Sequence, residues 1–158
     1  MINAVVAEVK DFLSSLKGEF PELFKEKTDK RHKDEALRIF SERVAHWSAT
    51  MGVSYNSVRI KDQKSLWGSC SAKGNLNFNW RVIHAPPEVL DYLVIHELSH
   101  LLEMNHSSRF WGHVAAWSPD YRSHRRWLRD NSARLKRLRA SPRPCPAPGT
   151  DIYSPAAG

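Results

Sequence analysis

Hydrophobic positions in the first third of the chain recur at helical spacing. One series consists of Ile2, Val5, Val9, Phe12 and Leu16, and a second of Leu37, Phe40, Val44, Trp47 and Met51. Apolar residues three or four positions apart lie on one face of an α-helix, so each series predicts an amphipathic helix. The charged stretch KEKTDKRHKDE lies between them and is interpreted as a connector.

After Gly52 the pattern changes to short segments typical of β-strands. These are SVRIKD, SLWGSCS and LNFNWRVI, and the turn-forming sequence AKGN separates the last two. In the last segment Leu76, Phe78 and Trp80 alternate with polar residues, which is the period of a half-buried strand. We therefore expect a small antiparallel sheet.

The second half of the chain predicts helices. Pro86 and Pro87 suit a first helical turn and open a helix through EVLDYLVIHELSHLLEM, which is apolar nearly all round and is expected to be buried. Ser107 or Ser108 starts a short helix, and Pro119 precedes another. The apolar positions of that last helix are Tyr121, Leu128, Leu135 and Leu138.

The length of 158 residues suits one domain with a core. We place it at residues 34–139, after an N-terminal helix and charged connector (1–33) and before a Pro-, Ala- and Gly-rich tail (140–158) that we expect to be disordered. No apolar run approaches the roughly 20 residues of a membrane span. Glu8 and Asp11 fall where a signal peptide would be apolar, and Cys70 and Cys145 do not resemble a disulfide framework. We expect a cytoplasmic protein without membrane contact.

The segment HELSHLLEMNH carries the strongest chemical signal. His96 and His100 are four residues apart, so a helix projects both imidazoles from one face, at the spacing that lets two nitrogens bind one ion. Glu97 lies beside that face. His106 follows six residues after His100, the interval at which some zinc proteases return a third ligand after a sharp turn. Glu103 stands where such turns often have glycine, and we expect Asn105 to take the left-handed conformation instead.

Three neutral imidazoles predict one Zn²⁺ per chain with an open fourth position, as in catalytic sites. The ion would lower the pKa of a water molecule to about 7, and Glu97 would act as the general base in hydrolysis of a carbonyl or phosphoryl centre. There are two alternatives to a catalytic zinc site. One is a structural zinc site with Cys70 as the fourth ligand, and the other is a buried helix whose histidines are hydrogen-bonded without a metal.

The segments WGSCS and HELSHLLEMNHSSRFW resemble the YgjP-like metallopeptidase family, a zincin group akin to SprT-like and WLM proteins. The resemblance covers about residues 58–130. It implies an α+β zincin-like fold, a small antiparallel sheet packed on an active-site helix with helices before and after, and a motif without glycine at position 103. It also implies zinc on His96, His100 and His106 and catalysis by Glu97. Two helices and a connector stand where typical members have a β-rich N-terminal segment.

The strand NLNFNWR is a candidate for pairing with an extended peptide substrate. Its polar positions, expected to be exposed or to face the cleft, are the candidate substrate-binding residues Asn77, Asn79 and Arg81. Trp67 and Trp111 are expected in the core. The candidates for a donor that stabilises the transition state are His113, Arg109 and Tyr121.

The formal charge of +7 is uneven, with nine Lys or Arg residues and one acid, Asp130, in residues 121–143. This basic stretch predicts either a solvated face or a weak nucleic-acid contact. A zinc metallopeptidase acting on peptides or proteins is the main hypothesis. The alternatives are a zinc hydrolase of nucleotide phosphates, an SprT-like DNA-associated protease and a zinc-stabilised binding module without catalysis.

Overall fold

The computed structural model describes residues 12, 14–15, 18–19 and 21–138, and side chains in the first helix from residue 30. Most of the first apolar series and the Pro-rich tail lie outside these residues. The elements, in chain order, are α1 (Pro21–Met51), β1 (Ser57–Lys61), β2 (Gly68–Cys70), β3 (Asn75–Asn79), a 3₁₀ helix (Trp80–His84), α2 (Pro87–Ser99), α3 (Ser108–Trp117), α4 (Tyr121–Asp130) and α5 (Ser132–Arg137). The α+β class expected from the sequence is confirmed.

Helix α1 is longer than predicted, because the charged connector is helical and belongs to it. Its inner face buries Ala36, Phe40 and Val44 completely. The Phe40 ring stacks on Phe78 of β3 with ring centroids 4.4 Å apart. The helix ends before Gly52, whose φ of 68° is costly for residues with a Cβ atom.

The sheet has the order β1-β3-β2. Strands β2 and β3 form an antiparallel hairpin, whereas β1 pairs with β3 in parallel, so the sheet is mixed and the expectation of an antiparallel sheet is wrong for that pair. The predicted alternation is correct: Leu76 and Phe78 are buried on the inner face, under α1 and α2. The sheet therefore presents one apolar face to the helices.

Helix α2 packs between α1, the sheet and the C-terminal helices. Nine of its 13 residues are buried, as its apolar sequence predicts. The Arg43 guanidinium of α1 makes a bidentate ion pair with Asp91 of α2, with N···O distances of 2.6 and 2.7 Å. This pair ties the histidine-bearing helix to the long N-terminal helix.

The C-terminal helices close the other side of α2. Helix α3 is capped by Ser107, whose hydroxyl accepts a hydrogen bond from the Phe110 amide at 3.4 Å, close to the predicted start. The single helix expected after Pro119 is divided at Asn131 into α4 and α5. Among the described residues, no helix is long and apolar enough to cross a membrane.

Candidate metal centre

The last turn of α2 carries His96 and Glu97, and His100 is the C-cap residue that follows it. Helical spacing puts the two histidines on one face and turns Glu97 towards the sheet. Ser99, between them, is completely buried and donates its hydroxyl hydrogen bond to the Ile95 carbonyl at 2.7 Å. The end of the helix is thus held by internal contacts, and its direction, which aims the histidines, is set by packing.

The chain reverses after α2 without a left-handed residue. The amides of Leu102 and Glu103 both donate to the Ser99 carbonyl at 3.0 Å, which tightens the last turn. Among the described residues no residue other than glycine has a positive φ, so the expected left-handed Asn105 is wrong. The chain therefore ends the helix and reverses through tight hydrogen-bonded turns, without the left-handed glycine that often ends such helices.

The reversal brings His106 back to the other two histidines. One nitrogen from each of His96, His100 and His106 lies within 4.8 Å of the others. The Nε2 atoms of His96 and His106 are 3.3 Å apart. Two ligands at about 2.0–2.1 Å from a tetrahedral zinc ion are separated by roughly 3.4 Å, so this spacing suits a shared ion.

Polar contacts at the Nδ1 atoms orient two of these imidazole rings, those of His96 and His100. The Nδ1 atom of His100 lies 3.2 Å from the Glu103 carbonyl, and because a carbonyl only accepts, Nδ1 carries the proton and Nε2 keeps its lone pair. The Tyr92 hydroxyl lies 3.4 Å from Nδ1 of His96. Such outer contacts are typical of metal-binding histidines. Sequence reasoning missed Tyr92, although its position four residues before His96 on the same helix face was a usable signal.

Aromatic rings surround the three imidazoles. Phe110 and Trp111 of α3 lie with ring centroids 4.9 and 5.6 Å from that of His96. Burial lowers the pKa of His96 to about 3, with smaller contributions from His100, His106 and the charge of Arg125. Burial also lowers the pKa of His100. Burial therefore favours the neutral form of His96 and His100, the state in which imidazole binds metal.

Glu97 is 4% exposed and points at the hairpin strand β2. A Cβ atom built on Gly68 would lie 2.7 Å from Glu97 Oε1, so the carboxyl group packs directly on the glycine. Burial raises the pKa of Glu97 to about 8. In the described part of the chain its carboxylate makes no ion pair. Sequence reasoning placed Glu97 beside the histidines but did not find its contact with Gly68.

A cleft of about 290 Å³ opens beside His96 and Glu97. One wall is formed by the loop and strand around Trp67, and the other by α4. The lining residues are Ser65, Leu66, Trp67, Gly68, Tyr92, Leu93, His96, Glu97, Arg125, Leu128 and Arg129. The sequence marked α4 as basic but did not predict that two of its arginines would face the site.

The predicted substrate-binding residues have other contacts. Asn79 is 1% exposed, its amide donates to the carbonyls of Gln63 and Leu66, and its oxygen caps the 3₁₀ helix. Asn77 donates to Ser69 Oγ, and Arg81 binds Asp62 and the Leu138 carbonyl. Asn77 and Asn79 lie in β3, which is paired on both sides, and Arg81 lies in the 3₁₀ helix that follows. As the central strand, β3 has no free edge for pairing with a peptide. Asn77, Asn79 and Arg81 are not among the residues that line the cleft beside Glu97, and their substrate-binding role stays a prediction.

The remaining sequence candidates lie at different distances from the cluster. Trp111 is half-buried against His96 and His106, and Tyr121 stacks on it at 5.2 Å. Arg109 is exposed and lies 3.8 Å from Glu103. The Cys70 thiol donates to the Ser71 carbonyl and does not belong to the group of three histidines that could hold a metal. Among the residues that the structure describes, the candidate protein ligands that converge are therefore these three histidines.

The donor set and its surroundings fit a divalent ion of zinc type. Three imidazoles converge, two are oriented by outer contacts, and a buried carboxyl group with no ion pair among the described residues lies alongside. Buried charges and polar groups are costly when unpaired, and a cation would stabilise this arrangement. Three ligands leave a fourth position for a water molecule or substrate, as in catalytic sites.

The comparisons with known proteins agree with this geometry. The crystal structure of the metallopeptidase zymogen of Pyrococcus abyssi abylysin is similar, with a TM-score of 0.52 and 26% identity, covering 58% of this chain and 93% of that one. The zymogen of Methanocaldococcus jannaschii jannalysin has a TM-score of 0.52 at 19% identity, covers 58% and 95%, and shows the fold alone. No curated protein matches the chain.

The family model of the YgjP-like metallopeptidase domain matches residues 8–131. This range is longer than the resemblance read from the motifs, because it includes most of the N-terminal helical segment. The zincin-like α+β fold and the predicted peptidase class are thereby confirmed. The chain belongs to the YgjP-like metallopeptidase family.

Proposed function

We propose that this protein is a zinc-dependent metallopeptidase in which His96, His100 and His106 hold the ion and Glu97 is the general base. The observation that carries the proposal is the convergence of three imidazole nitrogens within 4.8 Å beside a buried glutamate. Family membership supports a peptide or protein substrate.

Bound zinc would supply Lewis-acid polarisation of the scissile carbonyl and lower the pKa of a water molecule to about 7. Glu97 would accept a proton from the attacking water and deliver it to the leaving nitrogen. The packing on Gly68 restricts the carboxyl group to one side of the cleft, next to His96. Tyr92 would keep the His96 ring in one orientation throughout.

Among the described strands β2 pairs with β3 on one side, and its other edge supports binding of an extended substrate. The Trp67 carbonyl accepts a hydrogen bond from the Asn79 amide, and the Ser71 amide donates one to the Asn75 carbonyl. In an antiparallel ladder, main-chain groups point alternately towards the neighbouring strand and away from it. Gly68 and Cys70 therefore direct N–H and C=O groups away from β3, on the edge beside Glu97. An extended peptide could add there as a further strand. The proposed pairing strand is thus β2, in place of the central strand β3.

Metal content and peptide hydrolysis, measured on the same preparations, test the proposal. We expect about one zinc per chain in the wild type and a sharp reduction in His106→Ala. The exposed His46 on α1 offers a matched control, since His46→Ala removes an imidazole outside the cluster. Glu97→Gln should retain zinc and lose peptidase activity by 10²-fold or more, the usual contribution of a general base. Unchanged zinc in His106→Ala, or undiminished activity in Glu97→Gln, would contradict the proposal.

The same preparations distinguish the alternatives. Hydrolysis of nucleotides but not of peptides would indicate a phosphate hydrolase, because the same base could serve either centre. A function that survives Glu97→Gln would indicate a binding module. A DNA-associated protease would bind DNA through the basic face of α4, with an affinity that falls steeply as salt increases.

A further inference from the structure

Two arginines of α4 face the cleft beside the proposed catalytic glutamate. Arg125 and Arg129 are four residues apart, so they lie on the same face of the helix, with Leu128 beside them at the cleft wall. Glu97 is the one acidic residue among those that line the cleft. The electrostatic field in the cleft is therefore positive on the α4 side, and it would attract an anionic group.

Arg125 is held close to the histidine cluster. Its guanidinium carbon lies 5.1 Å from the centroid of the Trp111 ring. That ring is 5.6 Å from His96 and 5.9 Å from His106, and Tyr121 stacks on it at 5.2 Å. Stacking on an aromatic face restrains a guanidinium and leaves its N–H edge free to bind a planar anion.

The two arginines differ in their partners. Arg129 pairs with its neighbour Asp130, with Nε and Oδ1 3.0 Å apart. Within the described part of the chain, Arg125 makes no ion pair with a carboxylate. A fork of donors oriented by an aromatic ring and without a carboxylate partner matches the geometry of bidentate carboxylate recognition.

We propose that Arg125, supported by Arg129, is a specificity-determining residue that binds a carboxylate of the peptide substrate near the scissile bond. This inference rests on the proposed peptidase function. Arg125 lies 5.1 Å from the Trp111 ring, and that ring lies 5.6 Å from His96, beside which the scissile bond would be bound. Since extended residues advance about 3.4 Å each, a carboxylate bound by Arg125 would belong to a residue one to three positions from the scissile bond. The carboxylate comes either from an Asp or Glu side chain or from a free C-terminus.

A set of acetylated peptides that differ by one group distinguishes these two sources. The set has a neutral amidated parent, versions with Asp or with Asn at each of the three positions after the scissile bond, and the parent with a free C-terminal carboxylate within that distance. We expect the zinc-loaded wild type to prefer at least one carboxylate peptide about tenfold or more in kcat/KM. The peptide that shows the preference identifies the source.

The variants compare Arg125→Ala with Arg126→Ala. Arg126 is an exposed arginine of the same helix that does not line the cleft, so the control removes the same net charge. We expect Arg125→Ala to abolish the preference, Arg125→Lys to restore part of it, and Arg126→Ala to retain it. Retention in Arg125→Ala, equal loss in both alanine variants, or a wild type without preference would overturn the proposal.

Binding separates this proposal from the peptidase proposal. Dissociation constants for the same peptides are measured calorimetrically on the zinc-loaded chain. If no peptide is cleaved but the carboxylate preference appears in binding and disappears in Arg125→Ala, the carboxylate subsite stands and the peptidase function is wrong. If peptides are cleaved and neither binding nor kcat/KM responds to Arg125→Ala, the subsite is wrong and the peptidase function stands.

Discussion

Replacing Gly68 with alanine should impair catalysis while leaving the fold intact. The added Cβ atom would lie 2.7 Å from Oε1, 3.0 Å from Cγ and 3.1 Å from Cδ of Glu97. Gly68 does not have a positive φ, so alanine causes no backbone strain there. The conflict is therefore with one side chain, the proposed general base.

The size of the effect follows from the overlap. An ordinary contact begins at about 3.4 Å, so the carboxyl group must move by roughly 0.7 Å to clear the methyl group. A misplacement of about 1 Å at a reacting group can reduce the rate about 100-fold. We expect kcat/KM to fall about 30- to 100-fold in Gly68→Ala.

The assay compares peptide hydrolysis, zinc content and unfolding in urea for Gly68→Ala and Gly112→Ala. Gly112 lies within α3, and a Cβ atom there would meet nothing within 4 Å. We expect Gly112→Ala to retain activity and to gain up to about 1 kcal/mol in unfolding free energy, since alanine favours helix. Gly68→Ala should retain zinc and change in stability by less than about 1 kcal/mol.

Two results would refute this reasoning. Wild-type activity in Gly68→Ala would mean that Glu97 adapts without cost or does not act as the base. Loss of activity together with unfolding or loss of zinc would mean that Gly68 has a structural role, not one in positioning Glu97.

Three further predictions concern the framework around the site. A double-mutant cycle on Arg43 and Asp91, measured by urea unfolding, should give a coupling free energy of about 1 kcal/mol, because the ion pair is bidentate but partly exposed to solvent. Stability losses of the two single variants that simply add up in the double variant would contradict this. Burial, assisted by the charge of Glu97, raises the pKa of Cys70 to about 11. In Cys145→Ser protein the thiol should therefore react slowly with iodoacetamide at pH 7 and progressively faster towards pH 11, and fast reaction at pH 7 would contradict this effect of burial. Phe40→Ala should lower the unfolding free energy by about 3–5 kcal/mol, since the ring is completely buried against the sheet, and a loss below 1 kcal/mol would show that α1 does not contribute to the core as described.

The candidate site was predictable where its chemistry is local. The interval of four between His96 and His100 defines a helix face whatever the rest of the fold, and His106 follows at an interval compatible with a tight reversal. The manner of that reversal was not predictable. The reversal is stabilised by two amides that donate hydrogen bonds to the Ser99 carbonyl. Many sequences of similar turn propensity could form such a turn, so the residue types do not identify it.

The sheet shows the opposite case. The alternation of Leu76 and Phe78 correctly predicted a strand and its buried face. The strand order was not predictable, because β3 lies between two strands that both precede it in the chain. The expectation that this strand pairs with an extended substrate was wrong for this reason, since a central strand has no free edge, whereas the substrate-binding role of Asn77 and Asn79 stays a prediction.

Most helices and strands, the histidine-glutamate motif and the family could be identified from the sequence, because helix periodicity, capping and short motifs depend on residues within a few positions of one another. Tertiary packing leaves one edge of β2 open, places Gly68 against Glu97 and turns Arg125 towards the cleft. These contacts join segments that are about 30 residues apart in the chain. Their pairing depends on how the helices and the sheet pack around one core, which no local pattern specifies.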